Sequence, residues 1–275
     1  MSSLCRRTSR RGLAALAVLP LLLVAAAPRA AAAPIGYVAL GDSYAAGAAA
    51  GSYDPASGDC LRSTRAYPAL WAAAHPGGAF TDRACYGATT EDVRTGQLPQ
   101  LPPGTGEVTL TVGGNDLGFS DAVVDCLQPL TTEGKCTAAL DHGAQLLRDT
   151  LPGRYDQLLN AIEQAAPGAR LVVTGYPHLL QAKAAGACWA GTEARRTRFN
   201  QLTDQVDELI QRQAAAHHAK FADPRAAFEG HGVCAPAGAE WITGIVLLNL
   251  QESFHPTVDG QAHGYLPVVA DALGG

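Results

Sequence analysis

Five short apolar runs, spaced by stretches of helical length, constrain this chain more than any other feature of its sequence. The runs are residues 37–40, 79–84, 108–112, 171–174 and 220–222. Between and after them lie candidate helices at 67–74, 138–166, 193–216 and 266–273. The third is the clearest, with Phe199, Leu202, Val206, Leu209 and Ile210 recurring at helical spacing. The stretch 138–166 is expected to break at Pro152-Gly153, because proline lacks the N–H that a helix interior needs. Pro267 is expected in a first helical turn, where that loss costs little. Strands alternating with helices predict a parallel sheet covered on both faces. Right-handed crossovers then give an α/β fold, a three-layer α/β/α sandwich. In such sheets ligands collect beyond the carboxyl ends of the strands.

The N-terminus reads as an export signal. Arg6, Arg7, Arg10 and Arg11 precede an apolar stretch at 13–27, and small residues follow at 30–33. The stretch is short for a membrane span of ~20 residues; Pro20 interrupts it and Pro28 follows it directly. Residues 1–32 are therefore expected to be a signal peptide and 33–275 a single domain. The arginine pair at Arg10-Arg11 leaves the export route, general or twin-arginine, open.

The charge balance depends on this division. The whole chain carries 20 Lys and Arg against 25 Asp and Glu, a net charge of −5. Five of the arginines fall within residues 1–32, which contain no acid, so the remainder has 15 basic against 25 acidic residues. A chain this acidic does not suit nucleic acid, whose binding depends on clustered cations, nor a polybasic contact with a membrane surface. Hydrophobic residues make up 47% and charged residues 16% of the chain, which excludes disorder as the main state.

Six cysteines lie beyond the signal: Cys60, Cys85, Cys126, Cys136, Cys188 and Cys234. An even number in an exported chain reads as disulfides. Six allow 15 connectivities; pairing of sequence neighbours is preferred, as Cys60–Cys85, Cys126–Cys136 and Cys188–Cys234. A zinc site is the alternative, but no C-x-x-C or H-x-x-x-H pair supports it.

Three segments after strands or near the C-terminus carry chemistry. Gly41-Asp42-Ser43 follows the first strand. Its serine is either a helix cap or a nucleophile at the mouth of the sheet, close to backbone N–H groups. The elbow G-x-S-x-G is absent. Gly113-Gly114-Asn115-Asp116 follows the third strand, and Asn115 offers a neutral amide donor for a developing oxyanion. His255-Pro256 precedes the last helix, and the proline pushes His255 to extended backbone. The remaining histidines read as bystanders, with His217 and His218 solvated near the end of the long helix.

Taken together, these segments resemble the SGNH hydrolases, the GDSL lipases and esterases, and most of all their secreted actinobacterial members. Gly41-Asp42-Ser43 matches the first block, Gly87 falls in the second, Gly113-Gly114-Asn115-Asp116 matches the third and His255-Pro256 the last. The resemblance runs from Val38 to about Gly264. It implies a flavodoxin-like sheet of five parallel strands and hydrolysis of a carboxylic ester through an acyl-enzyme. Ser43 and His255 would be catalytic. The Ser43 and Gly87 N–H groups and the Asn115 amide would form the oxyanion hole. The chemistry calls for no metal and no cofactor. Many family members have Asp three residues before the histidine, where this chain has Glu252. Either the Glu252 carboxylate or a main-chain carbonyl of Glu252 or Ser253 would then orient the imidazole. The longer side chain and its apolar neighbourhood favour the carbonyl.

For the substrate, Tyr44, Ala45 and Ala46 beside the serine suit an acyl chain, as does the apolar run 241–250, which also suits a buried segment. The expected partner is an acylglycerol or other fatty ester, with no nucleic acid and no stable membrane anchor, and the expected state is an extracellular monomer. A polysaccharide O-deacetylase and a non-catalytic binder of acylated glycans or lipids are the alternatives. The intact Ser, Asn and His set argues against the binder.

Overall fold

Strand β1 (Gly36–Gly41) is buried almost along its length, as its apolar run requires, and lies inside the sheet rather than at its edge. Four parallel strands join it: β2 (Phe80–Asp82), β3 (Thr105–Thr111), β4 (Arg170–Thr174) and β5 (Lys220–Ala222). Their order is β2-β1-β3-β4-β5. A computed structural model describes residues 36–127, 131–184 and 186–275. Residues 1–32, read above as a signal peptide, lie outside that set. Among the described residues no helix is long and apolar enough to cross a membrane.

Helices cover both faces of the sheet, giving the expected α/β/α sandwich. The chain runs from β1 into the single turn α1 (Ser43–Ala46), then α2 (Tyr67–Ala74) before β2. After β2 come α3 (Thr90–Asp92), continued by a π-helical turn over Val93–Gln97, and then β3. Helices α4 (Phe119–Leu127), α5 (Glu133–Asp149) and α6 (Leu151–Ala165) precede β4, and α7 (Glu193–Ala216) precedes β5. A π-helical segment, Gly260–Tyr265, runs directly into α8 (Leu266–Leu273). Helices α2 and α8 pack together on one side; α3, α5, α6 and α7 pack together on the other. The core between them holds Val38, Leu40, Val108, Leu110, Val172 and Val173, all at most 1% exposed.

The α5–α6 break lies at Thr150, two residues before the expected Pro152-Gly153. Pro152 instead occupies the first turn of α6, where no intrahelical bond is lost. Helix α5 also begins earlier than apolar spacing indicates, because Thr132 caps it by accepting the Lys135 N–H. His217 is a correction as well. Its side chain is only 8% exposed and lies between Asp156 at 3.0 Å and Glu163 at 3.2 Å, tying the end of α7 to α6.

The three disulfides pair as expected. Cys60–Cys85 joins the loop after α1 to the loop after β2, Cys126–Cys136 joins α4 to α5, and Cys188–Cys234 joins the segments before α7 and after β5. The zinc alternative falls with them.

Candidate active site

The turn after β1 is tied from every side. A Cβ at Gly41 would overlap the Thr111 carbonyl of the neighbouring strand, and its φ of +133° also requires glycine. Gln97 grips the same residue twice, accepting the Gly41 N–H at 2.9 Å and donating to the Gly41 carbonyl at 2.8 Å. Asp42 caps α1 by accepting the Tyr44 N–H at 2.9 Å. The cap is therefore Asp42, which leaves the next residue, Ser43, unburdened. Ser43 is the first residue of α1, so its N–H has no intrahelical partner.

The loop before α8 brings His255 to this serine. His255 Nε2 lies 2.7 Å from Ser43 Oγ, across 212 residues of sequence. Its Nδ1 lies 2.8 Å from the Ser253 carbonyl. A carbonyl only accepts, so Nδ1 carries the proton and Nε2 presents its lone pair to the serine hydroxyl. Phe254, between them, holds a φ of +60°, strained for a bulky residue. Thr243 holds the bend: its Oγ1 donates to the Glu252 carbonyl at 2.5 Å and accepts the His255 N–H at 3.1 Å. The Tyr44 hydroxyl donates to the Phe254 carbonyl at 2.8 Å. Burial lowers the His255 pKa to about 4, although the hydrogen bond to Ser253 works the other way.

Glu252 faces elsewhere. Its Oε1 accepts the Tyr53 hydroxyl at 2.7 Å, and the same Tyr53 oxygen accepts the Ala49 N–H. Of the Glu252 carboxylate and the Glu252 and Ser253 carbonyls, the Ser253 carbonyl is the one in contact with the imidazole.

Gly87 and Asn115 line one cavity with Ser43 and His255. Gly87 has φ +78°, which favours glycine although a Cβ would meet nothing. Among the described residues its N–H has no acceptor, whereas Tyr86 donates to the Cys60 carbonyl and Ala88 to that of Cys85. Asn115 donates one amide hydrogen to the Ala88 carbonyl at 2.9 Å, which fixes the side chain and leaves its second N–H for a ligand. Asp116 accepts from the Thr90 N–H, the Thr90 hydroxyl and Arg154, clamping the two loops together. Tyr176 adds a link that spacing did not reveal. Its hydroxyl donates to Asp42 at 2.5 Å and accepts the Gly114 N–H at 3.1 Å. Burial raises the Asp42 pKa to about 7, against the pull of that hydrogen bond.

The cavity has a volume of about 340 Å³, within the usual size for a small-molecule site. Its walls are mainly apolar and include Leu117, Val123, Leu127, Phe199, Leu202 and Val206. Tyr44 is in the lining as expected, but Ala45 and Ala46 are fully buried in the core. From the apolar run 241–250, Ile245 and Leu250 line the cavity, and only Ile242 is buried.

A serine hydroxyl bonded to a neutral imidazole, with unused N–H donors around one apolar cavity, suits acyl transfer from an ester. The comparisons agree. The model of the GDSL-like lipase/acylhydrolase family matches residues 39–263, and the chain belongs to that family. It is a carboxylic ester hydrolase of the lipase and esterase type. Lipase 1 of Streptomyces coelicolor is 45% identical over 237 residues, covering 86% of each chain. The crystal structure of an extracellular lipase from Streptomyces rimosus superposes with a TM-score of 0.81 at 43% identity, covering 86% of this chain and 99% of that one. Phospholipase A1 from Streptomyces albidoflavus gives 0.82 at 43% identity, covering 87% and 100%.

Proposed function

We propose that Ser43 and His255 form a catalytic dyad that hydrolyses esters of fatty acids through an acyl-enzyme. The observation that carries this reading is the 2.7 Å contact between His255 Nε2 and Ser43 Oγ at the head of an apolar cavity. Ser43 Oγ attacks the ester carbonyl while His255 takes its proton. Negative charge on the carbonyl oxygen meets the Ser43 and Gly87 N–H groups and the free Asn115 N–H. His255 then gives its proton to the departing alcohol. Water, deprotonated in turn by His255, adds to the acyl carbonyl; the bond to Ser43 Oγ then breaks, the acid leaves and His255 returns the proton to Ser43. The Ser253 carbonyl orients the imidazole throughout, in place of a carboxylate.

The acyl chain occupies the space between α4 and α7. The apolar walls support a fatty ester over an acetylated sugar, which would leave most of that surface unused. Acylglycerols and phospholipids both carry such chains, and the lipase and phospholipase relatives support either. Export belongs to the same reading: residues 1–32 act as the signal, and residues 33–275 work outside the cell as one monomeric domain closed by three disulfides.

A series of p-nitrophenyl esters from acetate to palmitate tests the substrate class. kcat/KM is expected to rise with chain length until the cavity is filled. Turnover of acetate alone would favour the deacetylase, and no turnover of any ester would favour a binding module.

A further inference from the structure

Beside the cavity mouth lies a surface feature that ester chemistry does not require. Residues 241–251 contain no charged side chain. The Asn249 N–H donates to the Val246 carbonyl at 3.0 Å, closing a turn with Leu247 and Leu248 at its two corners. Such corners are ordinarily filled by Gly, Pro, Asn or Asp. Here Leu247 is 83% exposed and Leu248 fully exposed. The turn is also braced. Ser253 Oγ accepts the Val246 N–H at 2.9 Å, and the Glu252 and Ser253 N–H groups donate to the carbonyls of Asn249 and Leu250. The backbone therefore holds both leucines outward.

Among the described residues seven large hydrophobic side chains are exposed, and six belong to this neighbourhood. Val124, Ile245 and Leu250 line the cavity that holds Ser43. Leu247 and Leu248 lie between the last two in sequence. Trp189 packs beside Phe254, another lining residue, with ring centroids 6.1 Å apart. Single exposed apolar residues need no explanation, but a grouped patch does.

We propose that the Leu247-Leu248 turn is a lipid-surface anchor. It enters the neutral or zwitterionic face of an aggregated lipid and seats the cavity mouth there, so that an acyl chain reaches Ser43 without crossing water. The anchor rests on the reading of the site as a fatty-ester hydrolase. Continuity with the acyl cavity and the lack of charge over 241–251 select lipid as the occupant. A protein partner would cover the mouth and block the substrate.

The test uses vesicles of dialkyl-ether phosphatidylcholine, which offer no ester to cleave. Wild type and Leu247→Ser/Leu248→Ser are compared by co-sedimentation, and turnover of soluble p-nitrophenyl butyrate is measured in parallel. Burying one leucine side chain corresponds to roughly a ten- to hundredfold change in an equilibrium constant. The double variant should therefore partition at least about tenfold less, while its turnover of the soluble ester stays within about twofold of wild type. Leu248→Trp should bind as well as wild type or better. Unchanged partition of the double variant, or a wild type that ignores the vesicles, would overturn the anchor. So would a parallel loss on the soluble ester, because the leucines would then act through the cavity. Self-association of wild type that disappears in the double variant would reassign the turn to a contact between two copies. Vesicle binding without any ester turnover would support the anchor while defeating the hydrolase reading.

Discussion

The Tyr44 hydroxyl donates a hydrogen bond to the Phe254 carbonyl at 2.8 Å, joining the residue after Ser43 to the residue before His255. The two elements are otherwise 210 residues apart in sequence. The bond holds a strained backbone, because Phe254 has φ +60°. The positions of Ser43 and His255 are therefore coupled through their neighbours as well as through their own contact.

Tyr44→Phe removes this bond and leaves a buried carbonyl without a partner. Such a loss costs about 1–3 kcal/mol, so urea denaturation should show that decrease in stability. kcat should fall by about tenfold, with a smaller change in KM, because the imidazole loses its fixed position before the acyl chain loses its walls. A variant with wild-type stability and kcat would show that Tyr44 does not position the histidine loop.

Glu252→Gln should change kcat by less than about threefold. The carboxylate contacts Tyr53, and the Ser253 carbonyl contacts the imidazole. A carbonyl fixes the tautomer while stabilising the imidazolium less than a full charge does. A fall of more than about 10²-fold in kcat, the size expected on losing a strong catalytic interaction, would make the carboxylate a third catalytic member.

Asn115→Ala should lower kcat by roughly 10²–10³, the range for one oxyanion donor. KM should change less, because the donor strengthens only as charge develops on the oxygen. A raised KM with kcat intact would reassign Asn115 to substrate binding.

His255 should remain neutral well into the acid range. Burial disfavours its cation and sets its pKa at about 4, below the ordinary value of about 6.5. Between those values the unfolded chain takes up a proton that the folded chain refuses. This group's share of stability is therefore present above pH 6.5 and is lost as pH falls towards 4. The check is an NMR titration of the imidazole, assigned by the resonance missing in His255→Ala. The expected midpoint lies near 4; one near 6.5 would contradict the burial argument.

Much of this architecture is legible in the sequence. All five strands lie at the apolar runs, but only β1, β3 and β4 are buried strands that require continuous apolar segments; the edge strands β2 and β5 are mostly half-buried and carry Asp82 and Lys220, so their runs are short and mixed. Helix α7 was equally plain from Phe199, Val206 and Ile210. Helix α4 is less plain, because it is short, although Ala122, Val123, Cys126 and Leu127 recur at helical spacing. The run 241–250 was ambiguous for a physical reason: without periodicity, apolar content alone does not separate a buried segment from an exposed one. Ser43, Gly87, Asn115 and His255 stand in local sequence motifs. Tyr44, Gln97 and Tyr176, which hold those residues in place, act through contacts between distant segments that no local pattern encodes.

Whether Ser43 is a nucleophile activated by His255 can be read from the adduct of a serine-directed alkyl phosphonate, mapped to its residue. One phosphonyl group per chain is expected, carried on Ser43, with ester hydrolysis lost in proportion to labelling. His255→Ala should label far more slowly, since the imidazole that removes the serine proton is gone. An adduct on a different serine, or full turnover by a chain labelled at Ser43, would contradict that role for Ser43.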